Sequence, residues 1–337
     1  MFIVPTYTVA VILCVVTMLC WGSWANTLKL SPKGWEFPLY YWDYSLGVVL
    51  LALVFGVTLG NIGSEGRGFF TDLGQADAKW LGSAFLGGIV FNLSNLLIVA
   101  ATAIAGMAVA FPVAVGLALV IGVVVNYIAE TKGDPLILFI GVGLVVIAIV
   151  VNAIASRTIP GEGEEGKKST GKGIIIAVFS GIIMGFFFRF VAASMSMDFT
   201  NPEAGKMTPY AAVFIFSLGL FVSNFLWNTF FMYKPVEGEA VRYGDYFKRG
   251  NLKIHLVGLL GGIIWNIGMS FSLIAAEQAG PAISYGLGQG ATMVAALWGV
   301  FIWKEFKGAP RSTNWLLFLM FLFFITGLVL VIIARNL

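Results

Sequence analysis

Two formal charges stand inside long apolar runs: Asp43, in YYWDYSLG, and Arg189, in GFFFRFVA. An ionised side chain near a bilayer centre costs about 2.5 kcal/mol or more even on lenient scales, so each position is expected to face a protein interior or to snorkel. A carboxylate there can take up and release a proton or accept a substrate hydrogen bond. A guanidinium there can bind an anionic or carbonyl-rich solute, pair with the acid, or reach the interface along its stem. Asp43 lies about six residues into its run, roughly 10 Å along a helix. Its neighbours Tyr40, Tyr41, Trp42 and Tyr44 also fit an interfacial belt, which leaves a headgroup-level anchor as the alternative reading.

Carboxamides form the second polar population. Asn92 and Asn95 share a helix face; Ser217, Asn224 and Asn228 fall on one stripe; Tyr285, Gln289 and Thr292 fall on another, within ISYGLGQGAT. Bonding between helices is the ordinary task of such residues in lipid. Collected on several segments, together with Trp21, Trp24 and Asn26 of CWGSWANT, they also suit a polar central cavity with aromatic walls. Such a cavity would accept a flat heterocycle or a sugar ring, each of which has an apolar face and a hydrogen-bonding edge.

Other signals carry less. GEGEEGKKS approaches a phosphate-binding loop, but Lys168 stands where a Ser or Thr should hold the metal, and no strand precedes it. Cys14 and Cys20 lie in one apolar segment without metal-ligand spacing and read as packing residues. Glu277 reads as a solvated loop acid, and His255 as a weak candidate for any role. No nucleophile, paired-acid or metal constellation appears, so an enzyme is not expected, and neither is a cofactor. The dispersed basic residues give no footprint for nucleic acid.

The elements that position these residues follow from composition. Hydrophobic residues make up 59% of the 337, charged residues 11%, and mean hydropathy is +0.92, values that mark an all-α integral membrane protein. About 20 apolar residues cross the hydrocarbon, and ten windows qualify, near 5–25, 37–59, 80–103, 105–129, 135–155, 173–196, 209–233, 254–276, 281–303 and 313–334. The loops after spans 1, 3, 5, 7 and 9 hold fourteen Lys and Arg, the opposite side five. Both termini are therefore expected outside a bacterial cytoplasmic (inner) membrane. GGIVFN from Gly87 recurs as GGIIWN from Gly261, and ETKGDP from Glu130 recurs as EFKGAP from Glu305. Asn266 is thereby the repeat-mate of Asn92. A five-span repeat inverts its second copy, the arrangement of carriers that open alternately to either side. The expected division is 1–156 as the first five-helix repeat, 157–172 as a cytoplasmic linker, and 173–337 as the second repeat.

WDYSLGVVLLALVFGVTLGNIG from Trp42, the WGSW of span 1 and ALVIGVVVNYIAETKG from Ala118 resemble the ureide permeases of plants and their bacterial relatives. These stand near the glucose/ribose/rhamnose porter group of the drug/metabolite transporter superfamily. The resemblance runs along most of the first half and, more weakly, through the last span from RSTNW at Arg311. It implies the drug/metabolite transporter fold of ten helices in two inverted repeats, outward termini, and proton-linked uptake of allantoin, uracil or similar oxo-heterocycles, or of sugars. The long central loop of the plant members is short here. The expectation is thus a secondary transporter importing a small neutral polar solute, coupled to protons or sodium, as a monomer or homodimer in the bilayer. Asp43 would take up the proton, with Arg189 as its possible charge partner; Trp21, Trp24, Asn26, Tyr41, Asn92, Asn95, Asn224, Asn266, Tyr285 and Gln289 would meet the solute. The alternatives are multidrug or metabolite efflux by the same fold, and an uncoupled sugar facilitator.

Overall fold

A computed structural model describes residues 1–159, 170–236 and 238–336. The phosphate-loop-like GEGEEGKKS and most of the expected linker lie outside the described residues. Ten helices are long and apolar enough to cross a membrane: Tyr7–Leu30, Phe37–Val57, Ala78–Ala105, Val109–Ala129, Pro135–Ser156, Gly171–Ala193, Pro209–Tyr233, Leu252–Ala279, Pro281–Ile302 and Ser312–Ile333, spans 1 to 10. A chain in hydrocarbon must satisfy its own backbone polar groups, which is why every crossing is helical. Side-chain caps start several of them: Thr6 accepts from Val9 N, Asp134 from Ile137 N and Asn251 from Ile254 N. Proline in the first turn, at spans 2, 5, 7 and 9, removes an N–H that would have no partner there.

Three spans are discontinuous. Span 1 tightens into a 3-10 turn at Trp24–Leu30. Span 7 breaks between Ser223 and Trp227, and span 9 breaks at Gln289–Gly290 before a π turn at Trp298–Ile302. Asn224 and Gln289 therefore sit at breaks in helices, where polar backbone is less occupied by its own ladder.

Span 3 packs against spans 6 and 7, and span 8 against spans 1 and 2. Span 4 lies on 6, span 9 on 1, and spans 5 and 10 lie together at one side. Glycine permits the closest of these approaches. A Cβ on Gly88 would collide with Phe216 O of span 7, and one on Gly262 with Tyr44 O of span 2. Gly141 and Gly327 face each other across the crossing of spans 5 and 10. The tight corners from span 3 to 4 and from span 8 to 9 each turn on a left-handed glycine, Gly106 at φ 82° and Gly280 at φ 83°, a conformation that costs any residue with a Cβ.

Contacts between loops show which connections share an end. Lys29 pairs with Glu305 at 2.8 Å, Arg249 donates to Gly34 O, and Thr158 meets Thr313, so the loops after spans 1, 5, 7 and 9 lie together. This is the basic end. At the opposite end Met1 N reaches Glu65 O, Lys132 reaches Glu277 O, and Arg335 reaches Gln278 O, so both termini lie on that side.

Candidate functional site

Aromatic rings from five spans meet in the middle of the bundle. Trp265 of span 8 is the hub: Phe91 lies 4.5 Å away, Phe216 stacks at 6.0 Å, Trp21 stacks at 5.9 Å, and Tyr44 tilts against it at 6.3 Å. Trp24 lies 4.8 Å from Tyr44, which stacks on Tyr41 at 5.1 Å. Such pairs add about 0.5–1.5 kcal/mol each beyond burial, and they give the centre flat apolar walls. Of the two expected tryptophan walls, Trp21 is held in place by Nε1 donating to Trp265 O at 3.1 Å.

Polar groups are set into this wall. Asn95 Nδ2 donates to Tyr41 OH at 3.0 Å. Asn92 Nδ2 is shared among Leu220 O, Ser223 Oγ and Asn224 Oδ1, which ties span 3 to the break in span 7. Tyr44 OH, Asn92 Oδ1, Asn224 Nδ2 and Asn266 Oδ1 are buried without a protein partner. A buried polar atom left unpaired costs about 1–3 kcal/mol, and these four belong to spans 2, 3, 7 and 8. Asn266 uses its other end to donate to Val48 O at 2.8 Å.

Asp43 faces away from this centre. It is 1% exposed and points to the basic end of span 8, where Gly258 leaves room for its Cβ. His255 Nδ1 lies 3.0 Å from Oδ1 and 2.9 Å from Oδ2, and Tyr246 OH donates to Oδ1. Tyr246 comes from the short helix Tyr243–Arg249, which folds back under the bundle between spans 7 and 8. Burial, then the hydrogen bond and charge of Asp43, push the Tyr246 phenol upward, so it remains a donor. Trp35 closes the side of this cluster, edge-on to His255 at 5.5 Å. The carboxylate is enclosed by protein, with one oxygen held by a tyrosine hydroxyl from the loop at the basic end.

The opposite end carries a second buried acid that sequence reading passed over. Asp72 lies on the short helix Phe69–Gln75 and is fully buried. Its Oδ2 accepts from Thr208 N at 2.7 Å and Thr208 Oγ1 at 2.9 Å, capping the start of span 7, and Arg67 pairs with Oδ1 at 2.9 Å. Burial raises this carboxyl above its ordinary range, against the lowering effect of Thr208 and Arg67.

The remaining expected residues scatter. Arg189 is not among the partners of Asp43; it stands toward the opposite end of span 6. Asn26 ties the 3-10 turn at the basic end, donating to Ser23 O and accepting from Trp303 Nε1 at 2.6 Å. Tyr285 is fully buried against Phe187 and Phe188 and donates to Ala118 O at 3.1 Å. Gln289, at the break in span 9, is partly exposed. Glu277 is not the solvated acid expected: Oε1 accepts from Phe199 N at 2.6 Å and Oε2 is buried. Tyr246 was missed and His255 set aside as a weak candidate because nothing local to either marks them; the one available signal was that His255 is the only histidine. Among the described residues, no three His, Cys, Asp or Glu side chains gather as a metal site.

Comparison with known proteins gives a consistent answer over the whole chain. The ureide permease family matches residues 40–162 and 163–334. Ureide permease 1 of Arabidopsis thaliana is 25% identical over 396 residues, covering 100% of this chain and 99% of that protein. Ureide permease 2 of the same plant is also 25% identical, at the same coverage. The probable glucose uptake protein GlcU of Priestia megaterium is 25% identical over 233 residues, 68% of each chain. One protein crystal structure superposes with a TM-score of 0.62 at 13% identity, over 98% of both chains, and so shares the fold. The ten spans and this full-length match make the chain a membrane transporter of small solutes, a member of the ureide permease family.

Proposed function

We propose that the chain imports a small neutral polar solute, a ureide, nucleobase or similar oxo-heterocycle, together with a proton, by alternating access. The observation that carries this reading is the central aromatic cluster: rings packed around Trp265, with Tyr44 OH and the amides of Asn92, Asn95 and Asn224 among them. A planar, carbonyl-bearing ring would stack on the walls and exchange hydrogen bonds with those groups. The similarity to a glucose uptake protein supports a sugar as the second reading.

Alternating access rests on two inverted repeats, 1–156 and 173–337, and several pairs of contacts support them. Gly88 meets Phe216 O and Leu220 N, while its repeat-mate Gly262 meets Tyr44 O and Val48 N. Asn92 donates to Leu220 O and its mate Asn266 to Val48 O. Gly22 packs on span 9 and Gly185 on span 4. The short helices Phe69–Gln75 and Tyr243–Arg249 occupy matching places at opposite ends. These matched contacts, and the mutual Gly141–Gly327 crossing of spans 5 and 10, support an exchange of each span for the one five later. The excess of Lys and Arg at the basic end supports a cytoplasmic location for it, and hence outward termini in a bacterial inner membrane.

Asp43 is the residue assigned to the proton, since it is a buried carboxylate on the same span as Tyr41 and Tyr44, whereas Asp72 lies on a connecting helix. The test is uptake by proteoliposomes of labelled allantoin, uracil and glucose, with and without an inward pH gradient. Accumulation of one solute only with the gradient is expected, and Asp43→Asn should abolish it. Gradient-dependent accumulation by Asp43→Asn equal to wild type would remove Asp43 from coupling. Equilibration without accumulation in wild type would favour a facilitator.

A further inference from the structure

We infer that His255 receives the proton of Asp43 and passes it to the cytoplasm, and that Tyr246 is the latch that closes the acid off from water meanwhile. This rests on the proton-coupled reading above and adds its exit route. The carboxylate side chain is 1% exposed and the imidazole 23%. Water at the basic end thus reaches His255 and not Asp43. The ring is aimed suitably: Nδ1 bridges both carboxylate oxygens at 2.9–3.0 Å, while Nε2 lies against Gly250, at the edge of the loop. The rings of Tyr246 and Trp35 hold the imidazole on two sides, with centroids 4.5 and 5.5 Å away.

The ionisable groups against Asp43 are Tyr40 on its own helix, His255 on span 8 and Tyr246 on the short helix. Tyr40 OH is bonded to Thr27 Oγ1 at 2.6 Å, and Arg249 of the short helix is committed to Gly34 O. His255 is therefore the group placed to accept. Histidine is also the side chain whose charge ordinarily changes between pH 5 and 8. In the transfer the Asp43 O–H bond breaks and an Nδ1–H bond forms, leaving imidazolium beside carboxylate. The Nε2–H bond then breaks and its proton goes to water. Nδ1–H remains, donating to the carboxylate, and the ring returns to its first tautomer through solvent when the latch opens.

The test uses full-length His255→Asn, whose side-chain nitrogen can take the place of Nδ1 and bond Asp43 without titrating. Wild type and variant are reconstituted with trapped pyranine, and the probe is whichever of allantoin, uracil and glucose the wild type accumulates. Expected for His255→Asn is a loss of at least tenfold in gradient-driven accumulation and in solute-linked lumenal acidification. Solute exchange across loaded vesicles, which needs no proton release, should stay within about twofold. Tyr246→Phe, which removes the donor and keeps the ring, should show solute-independent proton leak. Unchanged accumulation and pH profile in His255→Asn beside a coupled wild type overturns this inference alone, and so does loss of exchange together with accumulation. A wild type that accumulates none of the three solutes, or accumulates one without acidification, overturns the proton-coupled reading and this inference with it.

Discussion

The contact between Gly88 and span 7, and its counterpart between Gly262 and span 2, allow a quantitative prediction. Replacing either glycine by alanine puts a Cβ against backbone: beside Phe216 O it would also lie 2.6 Å from Leu220 N, and beside Tyr44 O it would lie 2.9 Å from Val48 N. Backbone cannot rotate away as a side-chain tip can, so the helices must separate. Overpacking of this kind costs about 1–3 kcal/mol. Separation also stretches the neighbouring Asn92 to Leu220 and Asn266 to Val48 hydrogen bonds, a further loss of about 0.6 kcal/mol for such bonds in membranes. The gain in helix propensity from Gly to Ala is about 1 kcal/mol and opposes this. The expected net loss is about 0.6–2.6 kcal/mol at either position, and similar at both. Gly82→Ala, on span 3 with nothing within 4 Å of the added Cβ, is the control and should be neutral or more stable. The assay is reversible unfolding of the purified proteins in mixed detergent micelles. Gly88→Ala or Gly262→Ala as stable as the Gly82→Ala control would refute the reasoning.

Asp72→Ala strips the cap from Thr208 N and leaves Arg67 without its ion pair; loss of about 3–5 kcal/mol is expected, measured by the same unfolding assay. Because burial raises the Asp72 carboxyl in the folded protein above its ordinary value of 3.8, the native state holds that proton more tightly than the unfolded chain. Its contribution to stability is therefore present at low pH and lost as pH rises through the raised value; Asp72→Asn should flatten this part of the stability–pH curve. Tyr41→Phe removes the acceptor of Asn95 Nδ2 while keeping the stack on Tyr44, so solute affinity should fall about tenfold with little change in unfolding midpoint, checked by binding titration. Trp265→Ala removes the ring on which Phe91, Phe216 and Trp21 converge; a loss of about 3–5 kcal/mol and of solute-induced thermal stabilisation is expected.

The membrane architecture was legible because hydropathy and the recurrence of GGIVFN as GGIIWN are local patterns; both need only a window or a pair of windows to be seen. The repeat even led to Asn92 and Asn266, whose matching hydrogen bonds to Leu220 O and Val48 O lie in the packed interior. Asp43 was legible as an acid out of place, since a charge in an apolar run is conspicuous. Its partners were not. His255 lies 212 residues away and Tyr246 203, and Tyr246 sits on a seven-residue helix in a loop too polar and short to stand out. Asp72 escaped for the same reason: it lies in a connection, where an acid is unremarkable until Thr208 and Arg67 arrive from elsewhere in the chain. Arg189, conspicuous like Asp43, drew attention as a partner only because two opposite charges were the visible pair.

A chain of 337 residues with one histidine, placed against the acid of span 2, contains its own spectroscopic reporter. Ring-labelled histidine would give a single imidazole spin system in a nuclear magnetic resonance spectrum, with no mutation and no attached dye. Its two nitrogen shifts would distinguish the Nδ1–H tautomer, the Nε2–H tautomer and the cation, so one signal would record where the proton rests at each stage of a transport cycle.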